Sequence, residues 1–150
     1  EGLLSEKNEP AVTPWARRIV LEITENAALK NAAHVREILS GLRARGFRIA
    51  LDDLGAGYSS LNSLALVGPD FAKLDMEMLR GIRRDSRSAR LIKHILEFTQ
   101  EEGIRVVAEG IETEEERDVV RSLGCPLLQG YFFAKPEPPF CQVTRIPGSN

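Results

Sequence analysis

Polar residues follow each of five short apolar runs in this sequence, at or near the point where each run ends. They are Glu22 and Glu25 for the first run, Asp52 and Asp53 for the second, Lys73 and Asp75 for the third, Glu109 for the fourth and Gln129 for the fifth. Carboxylates that gather at one edge of a fold repel one another unless cations lie between them. Because carboxylate oxygens are hard ligands that suit Mg²⁺ or Mn²⁺, the pattern predicts a divalent-metal site.

A simpler interpretation applies to each of these positions taken singly. An acidic residue after a strand is often only a helix N-cap or a solvated loop residue, and for any one position this is the better explanation. This interpretation loses weight when all five runs end in polar residues. Asp52 and Asp53 are the hardest to explain as caps or solvated loop residues. Consecutive strand residues point in opposite directions, so these two can serve two neighbouring cations.

Lys73 lies within the third apolar run, where a buried apolar residue would be ordinary. A lysine in that position needs a carboxylate or a water network as its partner. The alternative, a side chain that extends outward to solvent, fits this run less well. The loop from Asp53 to Ser60 is a weaker feature, since its two glycines can either approach a phosphate closely or form a tight turn.

The elements that must position these residues alternate regularly along the chain. The apolar runs span residues 18–23, 47–51, 71–74, 104–108 and 126–128. Amphipathic stretches separate them, and the first has apolar residues at the helical spacing Val35, Ile38, Leu39 and Leu42. Thr113 and Glu116 have the spacing of a capping box and predict the start of a later helix. Continuous apolar strands that alternate with helices predict an α/β fold with a parallel sheet.

Two parallel architectures satisfy this pattern, a doubly wound sheet and a (β/α)8 barrel. A glycine-rich dinucleotide loop does not follow the first strand, where residues 22–25 read EITE. The barrel is therefore favoured. In such barrels the catalytic groups gather at the carboxyl ends of the strands, which is where the polar residues stand here.

Composition restricts the class of protein. The 150 residues are 43% apolar, which suits one globular domain, and 20 basic residues nearly balance 22 acidic ones. This balance does not favour duplex DNA or an acidic membrane surface as a partner. Cys125 and Cys141 are too few for a disulfide-stapled secreted domain. Without a signal pattern or an apolar run of about 20 residues, the sequence predicts a cytoplasmic location, either as a separate protein or as the cytoplasmic part of a larger one.

Five blocks of this sequence resemble the EAL family, in the family's order and at its intervals. They are residues 21–25 (LEITE), 50–60 (ALDDLGAGYSS), 73–75 (KLD), 107–113 (VAEGIET) and 129–131 (QGY). The likeness covers roughly residues 18–137. On this basis residues 1–16 are predicted to be a lead-in segment, residues 17–137 the C-terminal portion of an EAL domain and residues 138–150 a tail.

The resemblance implies a (β/α)8 barrel that hydrolyses cyclic di-GMP to linear pGpG with two Mg²⁺ or Mn²⁺ ions. On the matching positions, Glu22, Asp52 and Glu109 would be metal ligands, and Asp53 would serve the second ion. Lys73 would orient or help activate the attacking water. Gln129 would lie at the rim near the metals. Glu25 and Ser59 would support the loop from Asp53 to Ser60. The resemblance also implies a homodimer, and fusion to or regulation by sensory or GGDEF-type domains.

The sequence also departs from the family pattern. Leu54 and Ala56 stand where family members usually carry Phe and Thr, so the loop after the paired aspartates is expected to be less firmly held. The Glu-Ala-Leu strand with its glutamate ligand, and a second strand with an asparagine ligand, precede Glu22 in the family and do not occur in these residues. About five β/α units are thus predicted, against eight in a closed barrel.

Three explanations fit the missing strands: the native protein extends upstream of Glu1, it is a shortened inactive relative, or another chain completes the barrel. The first is favoured, because every ligand expected within the covered region is present. Hydrolysis by these 150 residues alone is not expected. The functional alternative is an inactive EAL-like module that binds cyclic di-GMP or a protein partner, and a different metal-dependent barrel enzyme is a weaker third hypothesis.

Overall fold

The computed structural model describes residues 9–30, 32–55 and 60–138. Five strands form one parallel sheet in these residues, and their spatial order equals their order in the chain. The strands are β1 (Val20–Thr24), β2 (Arg48–Leu54), β3 (Phe71–Leu74), β4 (Arg105–Ala108) and β5 (Leu127–Leu128). All five predicted strands are confirmed, with β3 matching at both ends and β2 extending to Leu54.

Two short helices precede β1, and the other helices connect successive strands. In chain order, the helices are α1 (Glu9–Val12), a 3₁₀ helix (Thr13–Arg18), α2 (Glu25–Lys30), α3 (Ala32–Ala44), α4 (Ser60–Val67), α5 (Met76–Leu79), α6 (Arg87–Glu101) and α7 (Glu114–Ser122). Parallel strands that neighbour one another in chain order, each followed by a helical crossover, are the repeating unit of a (β/α) barrel. The described residues therefore form a partial barrel of five strands with helical connections between them, in agreement with the predicted partial barrel of about five β/α units.

The core lies between the sheet and the helices that cover it. Leu51, Leu74 and Ala108 are fully buried on three adjacent strands, and Ile92 of α6 and Val120 of α7 are buried as well. This apolar layer fixes the strands directly below the polar residues that follow them. None of the described helices combines the length and apolar character that a bilayer span requires.

Helix α7 begins at the predicted capping box. The Thr113 hydroxyl accepts a hydrogen bond from Glu116 N, and Glu116 Oε2 accepts from Glu112 N and Thr113 N at 3.0 and 3.2 Å. Glu116 is only 5% exposed, and its Oε1 also accepts from Gly81 N at 3.2 Å. This carboxylate thus links the loop after β4 to the loop between α5 and α6.

Replacement of Glu116 by alanine should lower the free energy of unfolding by about 2 kcal/mol, because the reciprocal half of the capping box is lost and three backbone donors lose their acceptor. Denaturant titration followed by circular dichroism measures the change. Glu115→Ala is the matched control, since Glu115 is exposed on the same turn and its loss should change stability by less than about 0.5 kcal/mol. Equal effects of the two substitutions would contradict the assigned role of Glu116.

Candidate active site

A β-bulge at the end of β2 presents the paired aspartates. Leu51 pairs with Ala72 and Leu54 pairs with Leu74, so that Asp52 and Asp53 together stand opposite the single residue Lys73. Asp53 has φ +60°, the only positive φ among the described residues other than glycine. Beyond the bulge, Asp75 N donates to Leu54 O at 3.1 Å and restores the pairing. Bulges of this kind re-aim side chains near functional sites.

Lys73 lies at the centre of three carboxylates that come from three other strands or strand ends. Its Nζ is 2.9 Å from Glu22 Oε1, 3.0 Å from Asp52 Oδ1 and 3.1 Å from Glu109 Oε1. The lysine side chain is 13% exposed. Burial alone would lower the pKa of Lys73, but the hydrogen bonds with Glu22, Asp52 and Glu109 outweigh burial and raise the pKa above its ordinary value. Lys73 is therefore a permanent cation that donates hydrogen bonds and does not take up a proton at neutral pH.

The carboxylates around this lysine still carry excess negative charge. Burial raises the pKa of Glu109, and the neighbouring Lys73 offsets that effect only in part. The pKa of Asp53 is also raised, by partial desolvation and by the negative charges of Asp52 and Asp75. In both cases burial is the larger cause, and it favours the neutral carboxyl group over the ionised one.

A cleft of about 440 Å³ lies beside this cluster. Its walls come from the loops after β2, β3, β4 and β5, and they include Asp53, Asp75, Met76, Arg80, Glu109, Glu112, Gln129 and Tyr131. All these loops follow the carboxyl ends of parallel strands, where barrel enzymes bind their substrates. Two of the lining residues, Arg80 and Glu112, form an ion pair with each other.

The structure brings most of the predicted site residues to one rim. Glu22, Asp52 and Glu109 surround Lys73, while Asp53 and Gln129 line the adjacent cleft. Glu25 is buried at the first position of α2. Ser59, for which a supporting role was predicted, lies outside the described residues.

Asp75 is a helix N-cap, which is the simpler explanation of an acidic residue at the end of a strand. Its side chain accepts a hydrogen bond from Glu77 N at 2.7 Å and so caps the start of α5. Met76 and Arg80 were not predicted as site residues, although both line the cleft. Arg80 has no local sequence signature, because its partner Glu112 lies 32 residues away. Glu112 itself stands in the fourth motif block.

The residues present fit a hard divalent cation as part of a ligand set. Within residues 9–30, 32–55 and 60–138, no group of three or more acidic, histidine or cysteine side chains is arranged so that it could hold a metal ion by itself. Instead, oxygens of Glu22, Asp52 and Glu109 converge on one positive charge, the ammonium of Lys73. Three carboxylate oxygens that already share a cation are the donor type that Mg²⁺ and Mn²⁺ prefer.

Comparisons with known proteins agree with this geometry. The EAL domain family matches residues 10–136. The cyclic di-GMP phosphodiesterase RocR of Pseudomonas aeruginosa is 38% identical over 120 residues, which are 80% of this chain and 31% of RocR. The bifunctional diguanylate cyclase/cyclic di-GMP phosphodiesterase MucR of the same species is 35% identical over 137 residues, which are 91% of this chain and 19% of MucR.

A solved structure shows the same fold. BlrP1 of Klebsiella pneumoniae, in complex with manganese and cyclic di-GMP, superposes with a TM-score of 0.79 at 31% identity, over 87% of this chain and 35% of that structure's chain. The present chain spans between 15% and 33% of the length of the curated relatives. A family match over residues 10–136, together with the shared fold, establishes that this chain belongs to the EAL domain family.

Proposed function

We propose that the protein containing this chain hydrolyses one phosphodiester bond of cyclic di-GMP and yields linear pGpG, in bacterial second-messenger signalling. This chain would form the C-terminal part of the catalytic barrel. The observation that carries the proposal is the convergence of Glu22, Asp52 and Glu109 on Lys73 at the rim of a parallel sheet. The named activity of RocR and the ligands of the BlrP1 complex give further support.

Glu22, Asp52 and Glu109 would hold one Mg²⁺ or Mn²⁺, and Asp53 would serve a second. When bound, such ions lower the pKa of water and neutralise charge on a phosphodiester during in-line displacement. The carboxylates would supply the negative charge that holds the ions.

Lys73 would orient the attacking water rather than deprotonate it. Its pKa is raised by three carboxylate partners, so its Nζ keeps its protons and acts only as a hydrogen-bond donor and a positive charge. It also limits repulsion between Asp52 and Glu109 when no ion lies between them. The cleft next to Asp53 and Gln129 is where we place the nucleotide, beside the carboxylates that would hold the ions.

The full-length protein, assayed with Mg²⁺ or Mn²⁺ and cyclic di-GMP, should release linear pGpG that chromatography separates from the substrate. Addition of EDTA should stop the reaction. If correctly folded protein binds cyclic di-GMP in a calorimeter without cleaving it, the proposal is wrong and the chain belongs to a binding module instead.

The Asp53→Asn substitution should separate stability from activity. Asparagine has the same shape and tolerates a positive φ, and it removes a charge that Asp52 and Asp75 disfavour, so thermal stability should be equal or slightly higher. Hydrolysis should fall by about 100-fold or more, because a proposed ligand of the second ion is lost. Melting curves and initial rates, measured on the same preparations, test both statements; a large loss of stability or full activity would contradict them.

The assembly of the complete protein forms part of the same proposal. MucR combines cyclase and phosphodiesterase activities in one chain by its name, and this chain matches 19% of it. We infer that the present domain is likewise joined to, or regulated by, sensory or GGDEF-type domains and acts as a homodimer. Light scattering of the full-length protein tests the dimer.

A further inference from the structure

Helix α5 follows β3 and contacts the loop after β2. Met78 of this helix is half-buried and packs against the hydrophobic core. A Cβ atom added to Gly55 would lie only 1.9 Å from Met78 Sδ and 3.0 Å from Met78 Cγ. The thioether therefore occupies the space that a side chain at position 55 would need. Gly55 itself has φ +105°, a conformation that favours glycine.

Gly55 lies two residues after Asp53, at the point where the bulged strand leaves the sheet. Between them, Leu54 is fully buried and its carbonyl accepts from Asp75 N. The α5 region thus contacts the chain after the bulge twice, once through this hydrogen bond and once through Met78. Both contacts come from residues that directly follow Lys73 and its strand.

The bulge needs such support. A non-glycine residue with φ +60°, as at Asp53, persists only where its surroundings fix the backbone. The bulge also places Asp52 and Asp53 opposite Lys73. An unbranched thioether fills an irregular gap beside a glycine well, because methionine adapts its three side-chain torsions to the space.

We propose that Met78 is a positioning residue for the metal site: by packing its thioether onto Gly55, it stabilises the bulge that presents Asp52 and Asp53. The inference rests on the proposed function for the identity of the ions. Met78 has no oxygen in its side chain to offer an ion, and it would act through the backbone of residues 53–55.

Truncation of Met78 should weaken metal binding more than it weakens the fold. In the full-length protein, Met78→Ala should raise the Kd for Mn²⁺ by about tenfold or more, the range seen when groups that orient metal ligands are lost. Met78→Leu has nearly the same volume and should restore the Kd to within about threefold of wild type. The Kd is measured from the electron paramagnetic resonance signal of free Mn²⁺, without substrate and independently of turnover.

A matched control separates positioning from general destabilisation. Ile95→Val removes one methylene from a buried residue in the C-terminal half of α6 and should lower the melting temperature without changing the Mn²⁺ Kd. If Met78→Ala does not fold, Met78→Val is measured in its place and should again raise the Kd. An unchanged Kd in the folded Met78 variant, or an equal rise in Ile95→Val, would overturn the inference.

Failure of this inference differs from failure of the proposed function. If the wild-type protein binds Mn²⁺ and cleaves cyclic di-GMP, but folded Met78→Ala binds Mn²⁺ equally well, only the role of Met78 is wrong. If the wild-type protein binds no Mn²⁺, the metal site and the role of Met78 are both wrong.

Discussion

Asp52→Asn in the full-length protein should abolish measurable turnover of cyclic di-GMP. Asp52 contacts Lys73 at 3.0 Å and is one of three carboxylates that would hold an ion. An amide keeps the shape of the side chain but loses the charge, and a metal ion contributes several kcal/mol to transition-state stabilisation. Loss of about 4 kcal/mol corresponds to about three orders of magnitude in kcat. Initial rates at saturating Mn²⁺ and cyclic di-GMP measure the effect.

The control for this substitution is a charge change far from the rim. Lys93 lies on α6 with 61% of its side chain exposed and a single weak contact of 3.9 Å to Glu97. Lys93→Ala should therefore leave kcat unchanged within about twofold, because an exposed pair of this kind contributes little. A folded Asp52→Asn variant that retains more than about a tenth of wild-type turnover would show that Asp52 is not a ligand of a catalytic ion.

Convergence of the carboxylates could be predicted from the sequence because parallel strands end at the same edge of a sheet. Once residues 18–23, 47–51 and 104–108 are assigned as parallel strands, Glu22, Asp52 and Glu109 must meet at one rim. A lysine within an apolar run is likewise predicted to need a carboxylate or a water network as its partner, and the structure shows that the partners of Lys73 are carboxylates. Both assignments use only chain periodicity and charge.

The bulge and helix α5 could not be predicted in this way. The bulge is defined by the pairing of Leu51 and Leu54 with residues about 20 positions later, and nothing local to Asp52 and Asp53 encodes it. Helix α5 has four residues, too few to show a helical period. The contact of Met78 with Gly55 and the ion pair of Arg80 with Glu112 join separate loops, so they emerge only when the chain is folded.

The central position of Lys73 has a further consequence for stability. In the absence of metal, its ammonium is the charge that keeps Glu22, Asp52 and Glu109 together. Because its pKa is raised in the fold, this contribution is fully present below the ordinary lysine pKa of about 10 and is lost only as the pH rises through the folded value. Measurements at pH 7 to 8 therefore report on the charged lysine.

Lys73→Met should make the stability of the protein depend strongly on metal. In EDTA, the free energy of unfolding should fall by about 2 kcal/mol, less than for a fully buried pair because two of the three carboxylates are more than a fifth exposed and the third is half exposed. Mn²⁺ should restore much of this loss, since it binds the folded state and replaces the missing positive charge. Hydrolysis should remain low in both conditions, because the water loses its hydrogen-bond donor.

Denaturant titrations of wild type and Lys73→Met, each in EDTA and in Mn²⁺, give the four free energies that are needed. Mn²⁺ should raise the free energy of unfolding by more in Lys73→Met than in the wild type. In Lys93→Met, it should raise the free energy of unfolding by the wild-type amount. If Mn²⁺ raised the free energy of unfolding equally in the wild type and in Lys73→Met, the lysine and the ion would interact with different carboxylates. The carboxylates that surround Lys73 would then not be the ones that bind metal. A larger rise in Lys73→Met would show that one group of carboxylates interacts with both cations, as the proposed metal site requires.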